Sequence, residues 1–203
     1  MSLKDSHTTS SFIPWDKLVL ITNSLENEGK LKFCLLIYIG MYTGLRIGDI
    51  LSLKWKDILN TDCIELSEMK TKKFRKIPFN EKLKRKILKI YNKLNKSELK
   101  SVRVRSENEF VFSNKYRSGP ISTTYVNIQL KKIIGKHRIK VKNVSSHSLR
   151  KSFGRRVWET NNYSDRSLIL LSEILNHSSI AVSKRYLGIK DEEIKNVYEN
   201  LSL

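Results

Sequence analysis

Apolar residues in this chain recur mostly at intervals of three and four, the spacing that gives a helix one buried face. Trp15, Leu18, Ile21 and Leu25 follow Pro14 at that spacing. They predict a first helix after a Ser/Thr-rich leader or linker over residues 1–13. Residues 31–42 are apolar at nearly every position, which predicts a central helix buried all round and ended by Gly44. Ile47, Ile50 and Leu51 mark a short helix beyond it. The period then changes. "CIEL" and "RKIPFN" flank "SEMKTKKF" and predict two antiparallel strands joined by a basic turn. Pro78 has no N–H to donate, so it belongs at an edge or a strand end. Asn80 caps the next helix, whose buried face is Leu83, Ile87, Ile90, Tyr91 and Leu94. "EFVF" predicts a short strand, and helices follow around 125–134, 149–158, 168–175, 180–186 and 194–201. There is no internal repeat. The expected fold is mainly α with a small antiparallel β-sheet (α+β), one domain spanning 14–203.

Charge changes this picture most. Lys and Arg number 39 against 20 Asp and Glu, a net charge of +19. A basic globular domain of this kind meets a polyanion, or uses its lysines only for solubility. Residues 82–105 alone hold ten basic side chains and one acidic one, either a solvated helix face or a contact with a DNA backbone. A membrane partner is disfavoured, because the most apolar run, 33–42, is too short to span a bilayer. Residues 1–11 are polar and offer no signal-peptide core. Cys34 and Cys63 form neither a metal spacing nor a disulfide framework, which fits a reducing, cytoplasmic setting.

Candidate chemistry is spread along the chain. "NHSSIAVSKRYLGI" sets His177 nine residues before Tyr186, with Lys184 and Arg185 adjoining the tyrosine. In "SSHSLRKSFGRRV", His147 and Arg150 are three apart and share a helix face, while Leu149, Phe153 and Val157 pack inward. Arg46 in "TGLRIGDI" follows a buried segment and needs a partner. Asp49 is the expected one, as a structural ion pair or as the group that aims Arg46 at a ligand. Lys70 lies at the tip of the predicted hairpin, with Lys72 and Lys73 beside it. Taken together these groups suit a pentavalent phosphorus centre. Arginines and a histidine stabilise charge on nonbridging oxygens, a lysine protonates a departing oxygen, and a tyrosine attacks. No carboxylate cluster stands ready for Mg²⁺, so positive charge must come from side chains, and no metal or other cofactor is expected.

The pieces "TGLRIGDI", "KTKKFRKIP", "HSLR" and "LNHSSIAVSKRYLGI" occur in an order that resembles the catalytic domain of the tyrosine recombinases, the phage-integrase family. The resemblance implies that Arg46, Arg150 and His177 bind the scissile phosphate and that His147 does general acid–base work. It implies Tyr186 as the nucleophile of a 3′-phosphotyrosyl intermediate. Lys70, eight residues before Pro78, matches the hairpin lysine, with Lys72 as the fallback. Asn176 stands where the family commonly has glycine. Double-stranded DNA is the implied partner, bound as a homotetramer that exchanges C-terminal helices and as a monomer without DNA. The segment 191–203 would be that helix, with Ile194, Val197 and Leu201 as its apolar stripe. The family's N-terminal DNA-clamp domain has no counterpart here, so an isolated catalytic domain is expected. Type IB topoisomerase chemistry, an inert DNA-binding module and an Mg²⁺-dependent nuclease are the rivals. The Lys/Ile/Asn-rich composition points to an AT-rich bacterial genome.

Overall fold

The computed structural model describes residues 10–98 and 106–201. Nine helices and one hairpin are found among them: α1 (Trp15–Asn27), α2 (Leu31–Thr43), α3 (Ile47–Ser52), β1 (Cys63–Ser67), β2 (Phe74–Pro78), α4 (Glu81–Glu98), α5 (Thr123–Lys136), α6 (His147–Thr160), α7 (Asp165–Ile174), α8 (Ile180–Leu187) and α9 (Ile189–Glu199). A single 3-10 turn, Trp55–Asp57, separates α3 from β1. The mainly helical reading with one small antiparallel sheet holds.

Helix α2 is the axle. Cys34, Leu35, Leu36, Ile37, Ile39 and Met41 are all buried, and α1, α4 and α6 pack around it. A helix apolar on every side can only sit at the centre, because any face turned to water would expose hydrocarbon. The chain joins this core ahead of Pro14. Ile13 is buried, and its N–H and C=O both bond the Ser152 hydroxyl of α6. Asn80 caps α4 as expected, its Oδ1 accepting from the Leu83 N–H at 2.8 Å.

Gly44 ends α2 at φ 61°, a left-handed turn that a side chain would strain. A Cβ there would also stand 2.4 Å from the Phe153 ring. That glycine turns the chain sharply, so that Arg46 leaves the core beside α6.

A second, smaller apolar cluster holds the C-terminal helices together. Leu168, Leu171 and Leu175 of α7 and its cap meet Leu187 and Ile189, and Phe153, Val157, Trp158 and Tyr186 lie against them. Gly154 admits α8 to α6, since a Cβ there would meet Leu187 at 2.7 Å. Tyr186 is thereby anchored by its own helix's packing.

The hairpin pairs Cys63 with Pro78 through to Ser67 with Phe74, and Pro78 takes the terminal position that its missing N–H demands. The predicted "EFVF" strand does not form. Phe110 and Ser113 make only isolated bridges, to Lys54 and Pro120. Val111 and Phe112 are buried as a turn, so their hydrophobicity reflects core packing rather than a ladder. The basic run 82–105 falls partly outside the described residues. Within it, Lys86, Lys89 and Lys93 converge on Glu26 of α1, so part of that run is an intramolecular ion cluster. No helix among the described residues is long and apolar enough to cross a membrane.

Candidate active site

The six candidate residues come from five places in the fold and converge. Arg150 lies at the middle. Its residue is 2% exposed, and its two terminal nitrogens donate to the carbonyls of Gly44 and Leu175. Each carbonyl lies two residues ahead of another candidate, Arg46 and His177 respectively. One planar guanidinium thus braces both segments, a task its fork geometry suits and a lysine's point charge does not. Burial lowers the Arg150 pKa to about 10, which still leaves it charged at neutral pH.

Arg46 begins α3, and its Nη1 donates to Glu68 Oε2 at 2.6 Å. The expected pairing with Asp49 does not occur. Asp49 Oδ1 instead accepts from the Met69 N–H at 2.9 Å, because α3 turns that carboxylate toward the hairpin. Lys70 follows Met69 in the turn between β1 and β2. Two backbone bonds close that turn, Lys72 N–H to Glu68 O at 2.8 Å and Glu68 N–H to Lys73 O at 2.9 Å.

His177 follows α7. Its Nδ1 lies 2.9 Å from the buried Ser183 hydroxyl, and its ring meets Tyr186 edge-on with centroids 4.9 Å apart. Burial, then the charges of Arg150 and Arg46, lower the His177 pKa to about 4. His147 opens α6 at the surface, and desolvation lowers its pKa ahead of Arg150, Lys151, Lys70 and Arg46. Both imidazoles are therefore neutral at pH 7. Neutral rings can accept or relay a proton, whereas imidazolium could only donate.

Tyr186 has its phenol oxygen buried without a hydrogen-bond partner. Burial raises its pKa, and Arg150 and Arg46 oppose that rise. Arg150 stands close enough to the oxygen to favour the phenolate. The neighbours in sequence do not supply the nearby positive charge. Lys184 pairs with Glu193 at 3.0 Å and Arg185 is exposed. Arg185 lines the same cleft as Tyr186, but no hydrogen bond joins it to the phenol. Lys151 takes their place, its Nζ 5.0 Å from the Tyr186 ring centroid. It was not singled out in sequence, although it directly follows Arg150 and continues the same helix. Tyr186, His147, Lys151, Lys131 and Arg185 line an open cleft of about 690 Å³.

The low His177 pKa has a measurable consequence for stability. Unfolded histidine titrates near 6.5, so between that pH and about 4 the unfolded chain binds a proton that the folded ring refuses. Stability attached to His177 is complete above pH 6.5 and falls as pH drops toward 4, by an amount on the order of 1–2 kcal/mol once solvent screening of the half-buried ring is counted. Thermal unfolding of wild type should weaken across this window by several degrees. His177→Gln should flatten the slope there, and an unchanged slope would show that the ring is not held neutral.

A tyrosine, two arginines and two histidines are thus gathered on a helical domain, with a hairpin lysine close enough to His147 to lower its pKa. Residues 13–193 match the model of the phage integrase family, and the chain belongs to that family. It is 33% identical over 186 residues to the probable integrase/recombinase YoeC of Bacillus subtilis (strain 168), spanning 91% of this chain and 92% of YoeC. It is 30% identical over 173 residues to the tyrosine recombinase XerC of Pediococcus pentosaceus, covering 85% of this chain and 55% of XerC. The XerH site-specific recombinase bound to palindromic difH substrate, in a post-cleavage complex, superposes with a TM-score of 0.67 at 22% identity. That match covers 95% of this chain and 53% of XerH. The chain thus spans nearly all of YoeC but about half of the Xer proteins.

Proposed function

We propose that this chain is the catalytic part of a site-specific recombinase, an integrase of a mobile element acting on double-stranded DNA in a bacterial cytoplasm. Tyr186 Oη attacks the scissile phosphorus as His147 accepts the phenol proton. The P–O5′ bond breaks, Lys70 protonates the departing 5′ oxygen, and a 3′-phosphotyrosyl bond remains. Arg46, Arg150 and His177 stabilise the charge on the nonbridging oxygens. A 5′-hydroxyl from a second duplex then reverses the attack, releasing Tyr186 and joining the exchanged strand. The phosphotyrosine keeps the phosphodiester's free energy, so no ATP is required.

One observation carries this reading: the unpaired Tyr186 phenol beside a guanidinium that also braces Arg46 and His177. The +19 charge supports a phosphate-dominated DNA interface, whose affinity falls steeply with salt. The test is covalent capture in EDTA on a nicked duplex selected for binding to this chain. An SDS-resistant adduct supports metal-free tyrosine chemistry. Plasmid relaxation by a monomer, without strand exchange, would favour the topoisomerase alternative.

Assembly as a tetramer on DNA through C-terminal helix exchange belongs to the same reading, and α9 supports it. Its first turn is tied down, Glu192 pairing with Arg155 at 2.6 Å and Glu193 with Lys184. Beyond that its apolar stripe is unpartnered. Ile194, Val197, Tyr198 and Leu201 are 47–73% exposed. Val197→Asp should leave the melting temperature within about 1 °C, since the site is already in water. It should abolish complexes larger than one protomer per half-site in gel-shift assays. Persistence of those complexes would separate α9 from assembly.

A further inference from the structure

The turn that carries Lys70 is fastened to the rest of the site through one buried acid. Glu68 has no exposed surface and follows β1 directly. Its Oε2 accepts from Arg46 Nη1 at 2.6 Å, Thr71 Oγ1 at 2.6 Å and Asn176 Nδ2 at 3.1 Å. Its Oε1 accepts from Arg75 Nη1 at 3.0 Å. Burial pushes this carboxyl up, but the four donors outweigh it and hold it at about 2. Asn176 completes the link. Its amide also donates to Thr71 Oγ1 at 3.1 Å, and its Oδ1 accepts from Lys73 Nζ at 2.9 Å.

We propose that Glu68, acting through Asn176 and Thr71, is a positioning residue that docks the Lys70 turn and Arg46 against the His177 loop before DNA arrives. Each of the three candidates is held directly or by its neighbour. Arg46 bonds Glu68 itself, Lys70 lies between Thr71 on Glu68 and Met69 on Asp49, and His177 follows Asn176. A fully buried carboxylate is a poor device for stability alone, because well-packed apolar side chains commonly do as well. Its distinctive property here is geometry. It joins three elements far apart in sequence, and so removes the freedom that a lysine on a hairpin tip would otherwise lose only on binding. This inference rests on the reading of Lys70 and Arg46 as catalytic.

Two variants test it in the full chain. Asn176 sits at φ 51°, so Asn176→Gly removes the amide without backbone strain. Glu68→Asp keeps the charge but shortens the reach. Without DNA, amide exchange in the 69–73 turn and at 176–177 should rise together by roughly tenfold in Asn176→Gly, with α2 and α6 unchanged. On the selected nicked duplex, the adduct should form roughly tenfold more slowly in Asn176→Gly, with DNA affinity kept. In a Lys70→Ala background the same change should have less than about a twofold effect, because the link then has no lysine to position. Glu68→Asp should show the same pattern, extended to Arg46→Ala. Equal losses in both backgrounds, or unchanged exchange in the turn, would overturn the proposal. Should Lys70→Ala cleave at the wild-type rate, the catalytic reading of Lys70 fails. The exchange measurement then decides by itself whether Glu68 and Asn176 hold the turn.

Discussion

Tyr186→Phe abolishes covalent capture of DNA and leaves fold and DNA binding intact. The change removes one oxygen, the atom that would bond to phosphorus, so no residual pathway to a 3′-phosphotyrosyl adduct survives. Loss of signal should reach the detection limit, at least about 10⁴-fold. The stability side of this expectation comes from the structure. A buried hydroxyl without a partner adds nothing and is weakly unfavourable, so its removal should be neutral or raise the melting temperature slightly. The ring contacts with His177 and Lys151 survive in phenylalanine. Denaturation curves, gel shifts and SDS gels on the selected nicked duplex measure the three quantities. Adduct formation by Tyr186→Phe would mean that another side chain is the nucleophile.

The arginines should separate from each other. Arg46→Ala is expected to slow adduct formation by roughly 10²–10³-fold, the loss typical of one oxyanion donor. Its fold should persist, because Arg75, Thr71 and Asn176 still satisfy Glu68. Arg150→Ala should slow cleavage at least as much and also destabilise the protein. It strands two buried carbonyls and opens a cavity where α6 meets α2 and α7, at about 3–5 kcal/mol. For a domain of this size that is a drop of about 10 °C or more in melting temperature. Arg150→Lys should recover part of the charge effect but little of the bracing, since an ammonium cannot present two parallel donors. Equal melting temperatures for Arg46→Ala and Arg150→Ala would contradict the clamp.

Much of this molecule is legible without coordinates. The nearly all-apolar 31–42 segment reads as a central helix, Gly44 as its end, and Pro78 as an edge or strand-end residue, and all three readings hold. The motif residues were legible because phosphate chemistry needs side chains of a few types, and those types occur here in a distinctive order. Local readings failed where partner choice is not local. Asp49 was the nearest acid to Arg46 in sequence, but Glu68, 22 residues away, receives it. Lys184 adjoins the Tyr186 segment in the chain, yet it pairs with Glu193, and Lys151 of α6 is the cation that approaches the ring. "EFVF" has the composition of a strand, but its backbone bonds to residues 53–55 amount to one isolated bridge, Phe110 to Lys54, rather than a ladder.

The sequence by itself determined the helical core, the hairpin and the identity of the candidate residues, because periodicity, glycine turns and side-chain chemistry are properties of short segments. Only the tertiary structure decided that Arg150 braces Gly44 and Leu175, that the Tyr186 phenol has no partner, and that Glu68 and Asn176 fasten the Lys70 turn. Those are contacts between elements up to 108 residues apart. Their direction depends on how whole helices pack, and no short segment contains that information.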